Sequence, residues 1–302
     1  MNRRRPGSSS PALPALWPAA YGAALAAAAL MAPMPASAGP AVPAAQSGLV
    51  TSVPTYADLA DLADGAPSVV KAQIRKAVPV EPARAPGVRQ GWVRMYVEAR
   101  TMALLAGPPL AAESLRYLVD VPLDAKGKPP KLARLAKRGV ILFARTVSGR
   151  PGELQLVAPD AQVLWDEAVD NRVKAILTEL LAAGAPGRIT GVREAIYVPG
   201  NLAGEGETQL FLATADSEPA SITVQHQPGK AARWSVSFSE VVDAGGEPPP
   251  RDTLAWYRLA CFLPARLPAG VNVSSADADR AQAEADYLTV RQSLGDCLRS
   301  RG

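Results

Sequence analysis

A single histidine and two cysteines in 302 residues leave little metal or nucleophile chemistry open. Four tetrahedral zinc ligands of the usual Cys/His kind cannot be drawn from three residues, and a facial triad with two histidines is excluded. Aromatic residues make up only 5% of the chain, which argues against an extended stacking surface for bases or sugars. Charge of one sign is also scarce once the first residues are set aside. Residues 1–38 hold three arginines and no acid, so the remainder carries 29 bases against 28 acids, a net charge of +1. Nucleic-acid binding needs a clear positive surplus, so no nucleic-acid partner is expected. Glycine (24) and proline (29) together stay below the share that marks a low-complexity chain. With 48% hydrophobic and 20% charged residues there is apolar material for one or two domains.

What is present begins with an export signal. Arg3, Arg4 and Arg5 precede an alanine-rich apolar stretch from about Leu16 to Met31, followed by Ala36-Ser37-Ala38. A positive start, an apolar middle and a small-x-small exit predict a secretory signal peptide over 1–38, cleaved before Gly39. Pro14 and Pro18 leave less than the ~20 apolar residues a spanning helix needs, so no transmembrane span is expected after cleavage. The protein is therefore expected in the periplasm or the secreted fraction. Residues 39–54, small and uncharged, read as a flexible leader.

Order is predicted to start with a helix over Tyr56–Asp64, with Leu59 and Leu62 on its apolar face. Period-two patterns then mark strands over Val69–Val80, Trp92–Leu105, Leu115–Leu123, Val140–Val147 and Glu153–Leu164, the last two joined by the turn Ser148–Gly152. A helix capped by Asp166 carries Val169, Val173, Ile176, Leu177, Leu180 and Leu181. Four more strands follow, over Ile189–Val198, Thr208–Ala213, Ser221–Gln227 and Arg233–Val242. In the last, Trp234, Val236 and Phe238 alternate with serines. Helices over Asp252–Phe262 and Ala276–Leu298 close the chain. The fold class is α+β: an antiparallel β block (a small OB-like barrel or a curled sheet), a helix, a four-strand antiparallel meander and two C-terminal helices. A β-rich lobe over 55–165 and a second lobe over 166–302 are the expected divisions.

The runs Tyr117–Leu123, Gly149–Val157, Ile189–Ala195, Val198–Gln209 and Thr253–Cys261 resemble a group of uncharacterised exported proteins of sphingomonad-type alphaproteobacteria. That resemblance spans nearly all of the chain after the signal. It implies export and one shared architecture, and it brings no activity, cofactor or catalytic residue with it.

Several constellations are candidates for function. Gly200, Asn201, Gly204, Glu205, Gly206 and Glu207 form a glycine-rich, acidic loop between two strands, able to close over a ligand or partner. It is neither a Walker loop nor a dinucleotide fingerprint, and no cofactor is indicated. Lys126, Lys128, Lys131, Arg134, Lys137 and Arg138 place six bases in thirteen residues, an anion-contacting loop or a solvated one. Ser68-Val69-Val70-Lys71 matches S-x-x-K, but it opens a strand where that chemistry needs a helix start. His226, the only imidazole, sits at a hairpin tip where a solvated residue is the ordinary reading. Asp58, Asp61 and Asp64 make a carboxylate row, read as the wet face opposite Leu59 and Leu62. No nucleophile–base constellation emerges, so a non-catalytic module for an envelope ligand or protein is favoured over a carboxylate-based hydrolase. Finally, Cys261 and Cys297 are the only cysteines of an exported chain, and a disulfide between them is predicted.

Overall fold

The computed structural model describes residues 53–110, 112–130, 139–239 and 246–301. Helix α1 (Tyr56–Asp64) starts with a capping box: the Thr55 hydroxyl accepts the Asp58 N–H at 3.1 Å, and the Asp58 carboxylate accepts the Thr55 N–H at 2.9 Å. Leu59 and Leu62 are buried as the pattern requires.

Six antiparallel strands follow: β1 (Ser68–Pro79), β2 (Trp92–Ala106), β3 (Ser114–Pro122), β4 (Gly139–Thr146), β5 (Leu154–Leu156) and β6 (Gln162–Leu164). Their order is β3-β2-β1-β4-β5, with β6 also on β4. Three register shifts along β1–β2 strengthen the twist of this long pair. The sheet curls until Arg116 of β3 meets Glu153 in one isolated parallel bridge, with the Arg116 N–H donating to Gly152 O at 2.7 Å. Gly152 is needed there: its φ is +78°, and a Cβ would lie 2.5 Å from Ser114 O. No continuous ladder joins the two edges, so the curled sheet is realised and the closed OB-like barrel is not. The single strand expected over Glu153–Leu164 is split. Pro159 has no N–H to give the ladder, and the chain turns there, Ala161 N–H donating to Ala158 O, before β6 returns to β4.

Helix α2 (Glu167–Leu180) is capped by Asp166, whose carboxylate accepts the Val169 N–H at 2.8 Å. Leu181, expected on the buried stripe, lies at the C-cap and is 72% exposed. The second sheet is the meander β10-β9-β8-β7, built from β7 (Ile189–Pro199), β8 (Gly206–Thr214), β9 (Ala220–His226) and β10 (Arg233–Ser237). Gly229, at φ +71°, makes the β9–β10 turn. Alternation in β10 is imperfect, because Ser235 is buried along with Trp234. The outer edge of β7 is not left open: Val271 O accepts the Ala195 N–H, and Ala195 O accepts the Val273 N–H.

Helices α3 (Leu254–Phe262) and α4 (Asp277–Leu294) complete the fold. Helix α4 is shorter than the expected Ala276–Leu298. Gly295 takes φ +67° and stops it, so Cys297 lies beyond the helix rather than on its stripe. The disulfide is formed nonetheless, with Cα atoms of Cys261 and Cys297 5.1 Å apart. Buried residues from both sheets and the four described helices, among them Leu59, Phe143, Ile176, Leu210, Tyr257 and Tyr287, join one continuous core. Among the described residues no helix is long and apolar enough to cross a membrane.

Candidate functional site

The glycine-rich loop is the β7–β8 connection, and its carboxylates turn inward. Glu205 accepts the N–H groups of Asn201 and Leu202 at 3.1 and 3.2 Å, while Gly200 N–H donates to Glu205 O. A Cβ on Gly200 would fall 2.4 Å from the Glu205 side chain, and one on Gly206 would fall 2.1 Å from the Tyr197 hydroxyl. Gly204 needs its positive φ of +81°. Glu207 lies within β8 and accepts from Gln209 and Gln225. Each glycine and each carboxylate therefore has a local structural task. The loop exposes residues 200–204, among them Asn201 and Leu202, the latter at 64%.

His226 ends β9 but is not a solvated tip. Its Nε2 donates to the Asp286 carboxylate at 2.9 Å, and its ring meets Tyr197 edge-on. Asp286 comes from α4 and is 2% exposed. It also accepts from the Thr208 hydroxyl on β8 and from the Gln282 amide at 2.9 Å. A buried carboxylate with three side-chain donors is well satisfied. The order of bonds decides the chemistry. In an acyl-transfer triad the nucleophilic hydroxyl gives its proton to the imidazole; here the hydroxyl and the imidazole both give theirs to the carboxylate. Thr208 is fully buried, so it is no nucleophile. This knot pins α4 onto β8 and β9. Only one signal in the sequence pointed to it: an acid at 286 inside the stripe Ala283, Tyr287, Val290, Leu294.

The row on α1 is not a wet face either. Asp58 is 1% exposed and accepts the Ser300 N–H at 3.0 Å, the Ser300 hydroxyl at 2.6 Å and the Arg301 N–H at 3.1 Å. Burial pushes its pKa up, but the bonds from Ser300 and Thr55 together outweigh that and hold it below the ordinary carboxylate value. Asp61 accepts from the Tyr257 hydroxyl at 2.6 Å and from Arg299 at 2.6 Å. Asp64 holds Arg258 through two bonds and Arg188 through one. Burial raises Asp64 as well, yet the two guanidiniums bring it below its usual value. The three acids bind α3, the start of β7 and the C-terminal segment.

In the basic loop, Lys126 and Lys128 belong to a tight turn whose backbone N–H groups both donate to Asp124 at 2.9 Å. Lys131, Arg134, Lys137 and Arg138 lie outside the described residues. Ser68 and Lys71 are three apart on a strand and so face opposite sides. Ser68 Oγ is buried without a partner, while Lys71 sits 3.9 Å above the Trp165 ring and pairs with Asp170. Asp160 pairs with Arg89 and Arg301, and Asp166 caps α2. Two shallow depressions of about 380 and 490 Å³ flank the α2–β7 connection, the first lined by Asp64, Arg188, Asp216 and Arg258. Neither gathers Glu205, Glu207, Asp160 or Asp166. Among the described residues no three His, Cys, Asp or Glu side chains are placed to share a metal ion. No protein-family model matches this chain, and no curated protein matches it either.

Proposed function

We propose that the chain is an exported envelope protein, cleaved after Ala38, that acts by binding an envelope ligand or protein rather than by catalysis. The observation that carries this reading is the internal engagement of the groups that chemistry would need. His226 is held by Asp286, Glu205 braces its own loop, and the α1 acids hold Arg299, Ser300 and Arg301 against α1. A disulfide between the only two cysteines suits an oxidising compartment. The part offered to a partner is the tip of the β7–β8 loop, a self-braced frame exposing Asn201 and Leu202. A hydrolase reading draws on one observation, the 21% exposure of the His226 side chain beside a buried acid. No hydroxyl or thiol is aligned with that imidazole among the described residues.

Protein recovered from a native periplasm, examined by native and intact mass spectrometry, tests the proposal. The expected result is a chain starting at Gly39 with a retained ligand or protein, which Leu202→Asp loses without a change in melting temperature. A chain that keeps Met1–Ala38, or one that retains nothing and hydrolyses model esters, amides or glycosides, would overturn it.

A further inference from the structure

The two ends of the described body meet on one carboxylate. Thr55 N–H, where the chain enters α1, donates to Asp58, and so do the N–H groups of Ser300 and Arg301 at the other end of that body. Between α4 and that point runs a strap of six residues, 296–301, which follows the positive-φ Gly295. The strap brings little apolar surface with it, since Leu298 is 61% exposed. Its attachments include the Cys261–Cys297 bond, the donors to Asp58, the Arg251 guanidinium donating to Asp296 O, the Arg299–Asp61 pair, and the Arg301–Asp160 pair that reaches the β5–β6 connection. Helix α1 has no place in either sheet ladder. It is held to the body by the burial of Leu59, Ala60 and Leu62 in the core against α2 and α3, the Tyr257–Asp61 bond, the Asp64 pairs with Arg188 and Arg258, and the strap across its first turns.

We propose that the Cys261–Cys297 bond is a redox-sensitive latch on the two ends of the described body: its reduction frees the strap and lets α1 undock while the two sheets stay folded. The reductant is a dithiol. Its two sulfurs lose two electrons and two protons and join as a disulfide, and the Cys261–Cys297 bond breaks into two thiols that take up both protons. Both cysteines are only partly buried, so a dithiol can reach them. With the bond intact, the strap is held at its binding place and its polar contacts form at little entropic cost. Without it, ordering the strap must be met by partly exposed ion pairs and a few hydrogen bonds, which are weak against water. Once the strap leaves, Asp58 loses three of its donors, and a carboxylate left short of partners favours rehydration, which pulls the first turn of α1 outward.

Hydrogen exchange on the full chain tests this, comparing the oxidised protein, the protein reduced by dithiothreitol, and Cys261→Ser/Cys297→Ser. A fourth sample, truncated after Cys297, keeps the bond but lacks the rest of the strap. We expect exchange over 55–64 to quicken at least tenfold more than that of amides in β1, β4, β8 and β9 in the reduced, double-serine and truncated proteins. Unchanged exchange over 55–64, or an equal rise across both sheets that marks global unfolding, would overturn the latch.

Discussion

Glu205 shows how a residue type that suggests a site can be spent on structure. Its carboxylate closes the β7–β8 loop through two backbone N–H groups, much as a capping side chain closes a helix start. Replacing it by alanine leaves those donors to water and should cost about 1 kcal/mol. Chemical denaturation of Glu205→Ala measures this directly, and an unchanged midpoint would mean that the loop is not braced this way. The loop was legible in the sequence as glycine-rich and flanked by strands. The inward turn of its acids was not, because composition does not say which way a side chain points. The same limit applies to Asp58 and Asp286. Each is an acid at a position whose neighbours on the helix are buried, and beyond one local donor (Thr55 or Gln282) what satisfies it comes from residues that lie 60 to 243 positions away.

Elements follow the periodic signals closely where packing and local chemistry agree. Helix α1, helix α2 with its Asp166 cap, and strands β7 to β9 stand where hydrophobic period and turn residues put them, whereas β10 ends at Ser237 and residues 240–242 of its expected span lie outside the described residues. They fail where one residue overrides a run of favourable ones. Pro159 divides β5 from β6, and Gly295 ends α4 before Cys297. Helix α1 also gives the body a defined acid response. The pKa values of Asp58 and Asp64 are depressed in the folded state, so their contribution is fully present above the unfolded value of about 4. It is lost as pH falls through the folded values. Urea midpoints at pH 6 and pH 3 should therefore differ more for the wild type than for Asp58→Asn. An equal difference in the two proteins would mean that Asp58 is not held in the folded state as described.

At the scale of the molecule, one core joins both sheets and the helices, and two ties close it at the C-terminal end. The first is the disulfide, across a sequence separation of 36 residues. On the chain-entropy model a loop of this length stabilises by up to about 4 kcal/mol. Thiol titration of denatured, unreduced protein should find no free thiol. Reduction should lower the melting temperature, and two free thiols per chain would remove this tie. The second tie is the knot of His226, Asp286, Thr208 and Gln282, which fastens α4 to the meander. The account rests on that knot being structural and not catalytic. The measurement that bears on it most directly is a paired one on His226→Asn: denaturant stability, together with rates on model ester, amide, phosphate and glycoside substrates. A loss of about 1–3 kcal/mol, as for a removed partner of a buried charge, with rates for wild type and variant both at the buffer level, is the predicted result. Unchanged stability with a wild-type rate that vanishes in the variant would contradict it.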